Sequence, residues 1–174
     1  MSETLKTLTE RRSVRKYKKE QIKDEELKAV LSAGTFAATG MGMQSPRIVV
    51  IQDPEVIQKL TAINAGIMGK DGLDSFYGAP TVCVVFADSK RTTYVEDGSL
   101  VIGNMMNAAS AIGLGSCWIH RAKEEFRTEY GKELMKKWGL SEDYVGIGHC
   151  ILGYPDGKPA PAKPRKADYI IYDK

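Results

Sequence analysis

The chain has 174 residues, 43% of them apolar, and carries 25 Lys and Arg against 22 Asp and Glu for a formal net charge of +3. That length and apolar fraction suit one globular domain spanning 1–174 with interior enough for a core, and so small a charge does not make the broad basic face of a duplex-binding protein. No apolar run reaches the ~18 residues of a membrane span and the N-terminal segment lacks a signal peptide's apolar stretch, so a cytoplasmic protein with no membrane and no nucleic-acid partner is expected.

Leu5 and Leu8 mark the buried side of a short first helix. Where it should end comes Arg11-Arg12-Ser13-Val14-Arg15-Lys16-Tyr17, a knot of cations around one hydroxyl. Guanidinium forks meet phosphate oxygens in pairs and a serine adds a further donor, so the knot suits a phosphate; a solvated basic patch is the alternative. Leu27, Val30 and Leu31 mark a second helix with Asp24, Glu25 and Glu26 in its first turn. After small residues over 34–43, Arg47-Ile48-Val49-Val50-Ile51 reads as a buried strand, and Asp53-Pro54 as the N-cap and first position of another helix. Gly78-Ala79-Pro80 breaks the chain before a valine-rich run over 81–87, a central strand.

Residues 97–112 are the most apolar long stretch and predict a buried central helix. A helix apolar on nearly every side needs cover, either from a second subunit or from the core of one chain. Gly113 suits a left-handed cap at its end, and 116–119 predict a further strand. Residues 124–138 read as one helix, with Phe126, Tyr130, Leu134 and Trp138 as its packing stripe. A fourth apolar run covers 145–152, and a proline-studded linker over 155–164 leads to Tyr169-Ile170-Ile171-Tyr172. That last segment reads as a lone strand that must find an edge to join, on this chain or on another subunit.

Positive charge gathers at the two ends, +5 over 1–23 and +3 over 158–174, while the middle sums to −5. A fold that brought Lys163 and Arg165 beside Arg11, Arg12 and Arg15 would grip a single phosphate monoester. Cys83, Cys117 and Cys150 show no CxxC spacing and support neither a disulfide framework nor a thioredoxin-like motif. Cys117 with His120, and His149 with Cys150, raise the question of zinc. Adjacent residues on a strand face opposite ways, so His149 and Cys150 are read as packing residues, and no metal is expected. No HExxH, EF-hand or P-loop pattern is present, and Gly146-Ile147-Gly148 lacks the third glycine of a dinucleotide fingerprint.

The order of these parts resembles the FMN-dependent nitroreductase family over nearly the whole chain. The resemblance rests on Arg11-Arg12-Ser13-Val14-Arg15, on Ala37-Ala38-Thr39-Gly40 leading to Gln44-Ser45-Pro46-Arg47, on Gly113-Leu114-Gly115-Ser116-Cys117-Trp118-Ile119, on Gly153-Tyr154-Pro155 and on Lys163-Pro164-Arg165. It implies an α+β homodimer with a central, mostly antiparallel sheet flanked by helices, a C-terminal strand extending to the partner subunit, and FMN sites built from both subunits. Position by position, it implies that Arg11, Ser13, Arg15, Lys163 and Arg165 contact the flavin phosphate and ribityl chain, with Arg12 beside them. Ala38, Thr39, Gly40, Gly42 and Gln44 match a loop laid against the isoalloxazine by the second subunit, and Asn64 is a candidate partner for the pyrimidine end. Ile119, His120 and Arg121 match the segment whose backbone amides face N5 and O4.

The implied activity is an FMN oxidoreductase that takes hydride from NADH or NADPH at flavin N5. It passes that hydride by a ping-pong mechanism to a small electrophile such as a nitroaromatic or quinone. No catalytic side chain is essential in this scheme, and His120 is a candidate proton donor. A non-catalytic flavin-binding or storage module is the alternative. Three departures stand out: Ala38-Thr39-Gly40-Met41-Gly42 lacks the polar side chains of the usual Pro-Ser-Ser-x-Asn, Pro46 stands where tryptophan is frequent, and His120-Arg121 replaces the frequent Glu-Gly. Only 89–96 separates the second strand from the central helix, where larger members insert a roof over the flavin, so an open pocket is expected.

Overall fold

The computed structural model describes residues 1–173. Four strands form one antiparallel sheet in the order β1-β2-β4-β3: β1 Arg47–Ile51, β2 Thr81–Asp88, β3 Gly115–Ile119 and β4 Tyr144–Gly153. The two inner strands are the apolar runs. Every residue of β2 but its last is buried, as is most of β4, because helices cover both faces of the sheet. One face packs against α3 (Pro54–Ile67), α5 (Ala122–Glu125) and α6 (Glu129–Lys137), with Val82, Val84, Phe86 and Ile151 at its centre. The other takes α2 (Asp24–Thr35) and α4 (Tyr94–Ala111) onto Cys83, Val85, Cys150 and Leu152. His149 and Cys150 therefore point to opposite faces, and among the described residues no cluster could hold a metal ion. No described helix is long and apolar enough to cross a membrane.

Local chemistry accounts for most boundaries. Asp53 caps α3 by accepting from the Glu55 and Val56 amides, with Pro54 behind it. Gly113, at φ +83°, follows the end of α4 in the left-handed region. Helix α4 lies close enough to β4 that a Cβ at Gly98 would come within 2.5 Å of Ile147 Cγ1, so that residue fixes the distance between layers.

Several expectations need correction. In α1 (Glu3–Glu10), Leu5 and Leu8 are 53% and 51% exposed rather than buried, because the described residues leave that face largely open. Strand β1 is an edge strand, and its inner residues Ile48 and Val49 are only half-buried while Val50 is exposed. The helix expected over 124–138 is two. The chain breaks after Glu125, and Thr128 starts α6 by accepting from the Gly131 amide, a cap that the aromatic stripe overshadowed. Helix α4 begins at Tyr94 and leaves Val95 and Leu100 exposed, with Ile112 exposed just beyond its end. Residues 169–172 form no strand, and all four are exposed.

Candidate functional site

The segment after α1 is stitched to the end of the sheet. The Val14 amide donates to Ser116 O at 2.9 Å, and a parallel bridge pairs Ser13 with Ser116. The close approach requires Gly115, where a Cβ would meet Val14 Cγ1 at 2.9 Å. The C-terminal segment then returns along the same path: Tyr17 bridges Pro155, the Asp156 amide donates to Lys16 O, and Lys16 Nζ meets Asp156 at 2.7 Å. From there 160–165 runs past 8–15.

The result is a cleft of about 670 Å³ walled by Arg11, Arg12, Ser13, Arg15, Lys163 and Arg165. Both charged ends of the chain meet there. None of its five cations has a carboxylate partner among the described residues. Two are occupied otherwise: Arg12 Nη1 donates to Thr9 O and Arg11 O at 2.8 and 2.7 Å, finishing α1, and Arg165 donates to Lys163 O at 2.8 Å. Arg11 differs. Its Nη1 is buried with no hydrogen-bond partner, a costly state for a guanidinium unless an anion completes it.

Arg15 also walls a smaller cleft of about 190 Å³ with Ser75, Tyr77, Trp118, Ile119, His120 and Arg121. Its floor is anchored from beneath. Asn64, fully buried on α3, donates from Nδ2 to His120 O at 3.0 Å and accepts from Arg121 Nε at 3.2 Å. Asn64 thus spends its amide on the 120–121 turn and presents no surface of its own to the cleft. Arg121 holds φ +77°, an uncommon conformation for a side chain this large, and that turn starts α5. Ile119 O is held by His149 Nδ1 at 3.1 Å, and His149 Nε2 lies 2.5 Å from Glu125 Oε2 with both side chains at 0% exposure. The approach is short yet off the preferred hydrogen-bond angle, and neither Glu125 oxygen has another partner among the described residues.

Ala38, Thr39, Gly40, Gly42 and Gln44 do not join these clefts. Thr39 and Gln44 border a separate hollow beside β1, and the turn at Gly40–Gly42 is held by Asp97, whose Oδ1 accepts from the Gly40 amide at 2.9 Å. A further cleft, of about 760 Å³, lies between α6 and the start of β4. Its lining mixes Lys123, Arg127, Lys132 and Lys136 with Glu129, Glu133 and Glu142, so the cations there stand among carboxylates and no single anion is favoured. Asp97, Glu125 and His149 were not singled out in the sequence as site residues. Asp97 opens an apolar stretch and His149 lies inside one, a signal that would have raised them, whereas Glu125 sits among charged residues that hide it.

The model of the nitroreductase family matches residues 8–154. A protein of Archaeoglobus fulgidus, provisionally named NADH dehydrogenase/NAD(P)H nitroreductase, is 32% identical over 89% of this chain and 87% of its own. The FMN reductase [NAD(P)H] of Bacillus subtilis is 25% identical over 95% of this chain and 70% of its own. Among solved structures, the nitroreductase with bound FMN from Bacteroides fragilis superposes with a TM-score of 0.91 at 27% identity, each chain covered in full. With a family model covering most of the chain and a fold that superposes on a member of that family, this chain belongs to the nitroreductase family.

Proposed function

We propose that the protein is an FMN oxidoreductase reduced by NADH or NADPH, with the flavin phosphate in the larger cleft and the ring system over the smaller one. The observation that carries this is the unpartnered, buried Arg11 Nη1 within a ring of cations that lack carboxylates. A phosphate monoester is the anion whose charge and geometry suit such a ring. FMN held there would supply the redox chemistry, hydride transfer from NADH or NADPH and onward reduction of a second substrate such as a nitroaromatic or quinone. The chain's own residues fit that cofactor: Arg11, Ser13, Arg15, Lys163 and Arg165 bind the phosphate end, and the 119–121 backbone supplies N–H donors at the ring. His120 keeps its side chain at the exposed rim, so its backbone is assigned the central part.

The active unit is a homodimer in this reading. Leu5, Leu8, Phe36, Met41, Leu100 and Ile112 leave apolar surface uncovered on one chain. The 38–44 loop, remote from the clefts of its own subunit, would lie against the partner's flavin. Both substrates use one open pocket in turn, which predicts parallel lines in double-reciprocal plots of rate against NAD(P)H at several quinone concentrations. Absence of any acceptor-dependent NAD(P)H oxidation by the FMN-loaded protein would overturn the assignment.

A further inference from the structure

We propose that His149, braced by Glu125, and Asn64 are positioning residues that aim two consecutive backbone N–H groups, those of His120 and Arg121, into the flavin cleft. The inference rests on the FMN reading above and explains how this chain builds that donor pair from within.

The argument is one of peptide geometry. All peptide bonds among the described residues are trans, and in a trans peptide the carbonyl and the N–H point in opposite directions. Ile119 O is drawn inward onto His149 Nδ1 at 3.1 Å, so the His120 N–H of the same peptide points outward. His120 O is drawn inward onto Asn64 Nδ2 at 3.0 Å, so the Arg121 N–H points outward too. Neither N–H donates in any turn, loop or side-chain hydrogen bond among the described residues, and both residues border the smaller cleft. Two inward bonds thus set two outward donors. The positive φ of Arg121 is what lets successive peptides present the same edge, and its guanidinium is tied to Asn64 Oδ1.

His149 can hold Ile119 only as one tautomeric arrangement. Its partner there is a carbonyl, so Nδ1 must carry a hydrogen. Nε2 then faces Glu125 Oε2 in a fully buried site, where a lone pair against a carboxylate would repel. Glu125 Oε2, 2.5 Å from Nε2, backs the ring and fixes the orientation that keeps Nδ1 aimed at Ile119 O. Phe76 and Phe126 pack around the imidazole, with ring centroids 5.1 and 6.3 Å away, which keeps water from substituting for Glu125.

The test uses two measurements. One is 15N relaxation of the His120 and Arg121 amides in flavin-free protein; the other is the 15N resonance of N5 in labelled FMN bound to the same proteins. Glu125→Leu combined with His149→Phe replaces the pair by apolar groups in an apolar setting, a change that need not unfold the protein. Glu125→Gln keeps a partner for Nε2 and hence the Nδ1 donor. Wild type and Glu125→Gln should show the His120 amide as ordered as β3, with an order parameter of about 0.85. In the double variant that order should fall, and the N5 resonance should move toward that of a flavin lacking an N–H partner. Asn64→Leu should do the same at Arg121, which supplies the test if the double variant does not fold. Unchanged order and unchanged N5 resonance in folded variants would overturn the inference while leaving FMN binding intact. Failure of the wild type to bind FMN would instead overturn the functional reading, and relaxation alone would then decide this one.

Discussion

Replacing Arg11 by Ala separates a ligand-binding arginine from a structural one. In the free protein Arg11 Nη1 is buried and makes no hydrogen bond, so the side chain contributes desolvation cost without a compensating contact. Its removal should leave the thermal midpoint of flavin-free protein unchanged or slightly raised. With FMN the sign reverses. Losing a hydrogen bond to a charged group costs about 1.5–3 kcal/mol, equivalent to roughly 10- to 150-fold weaker binding. Titration of flavin fluorescence with FMN and, separately, with riboflavin isolates the phosphate. Arg11→Ala should lower FMN affinity by that factor and leave riboflavin affinity near wild type. Equal losses for both ligands, or no loss for FMN, would refute the reasoning that this guanidinium waits for a phosphate.

Arg12→Ala should behave differently, because Nη1 already bonds Thr9 O and Arg11 O; about 0.5–1.5 kcal/mol of stability should be lost from flavin-free protein in denaturant melts. Gly98→Ala places a methyl within 2.5 Å of Ile147 Cγ1 and should cost about 1–3 kcal/mol by forcing α4 off β4, visible as a lower urea midpoint. All three thiols are buried, and burial pushes the Cys83 thiol up to about 12, so Ellman's reagent at neutral pH should find no reactive cysteine until denaturant is added. The Tyr154 hydroxyl meets Glu26 Oε2 at 2.5 Å and holds that carboxyl below the usual glutamate range. A depressed carboxyl contributes stability above its unfolded value and loses it as pH falls through the folded one, so Tyr154→Phe should be less stable than wild type above about pH 5 and converge with it in acid.

What was legible in the sequence was whatever depends on neighbours along the chain. Asp53-Pro54 marked the start of α3, Gly113 the end of α4, and the valine run of β2 a central strand, because caps, left-handed turns and burial on both faces each leave a local signature. The meeting of the two charged ends was legible from charge alone, since positive charge gathers at both termini of a chain of low net charge and the fold lines one cleft with five of those cations. Two kinds of feature were hidden. Leu5 and Leu8 carry the pattern of a buried helix face, but a pattern does not say whether the cover comes from the same chain. The anchors beneath 119–121 come from α3, α5 and β4, separated by up to 85 positions in sequence, and only the folded register of His149 opposite Ile119 brings them together. The break between α5 and α6 was masked by an aromatic stripe that continues straight across it, with Thr128 as the one local clue.

The central claim, that this chain uses flavin to move electrons from a nicotinamide, is tested most directly by the visible spectrum of freshly purified protein. It is recorded anaerobically before and after adding NADH and then NADPH. Flavin absorbance that bleaches with at least one nucleotide and returns on adding a quinone is the predicted result. A yellow protein that neither nucleotide bleaches, or a colourless one that refuses added FMN, would contradict it.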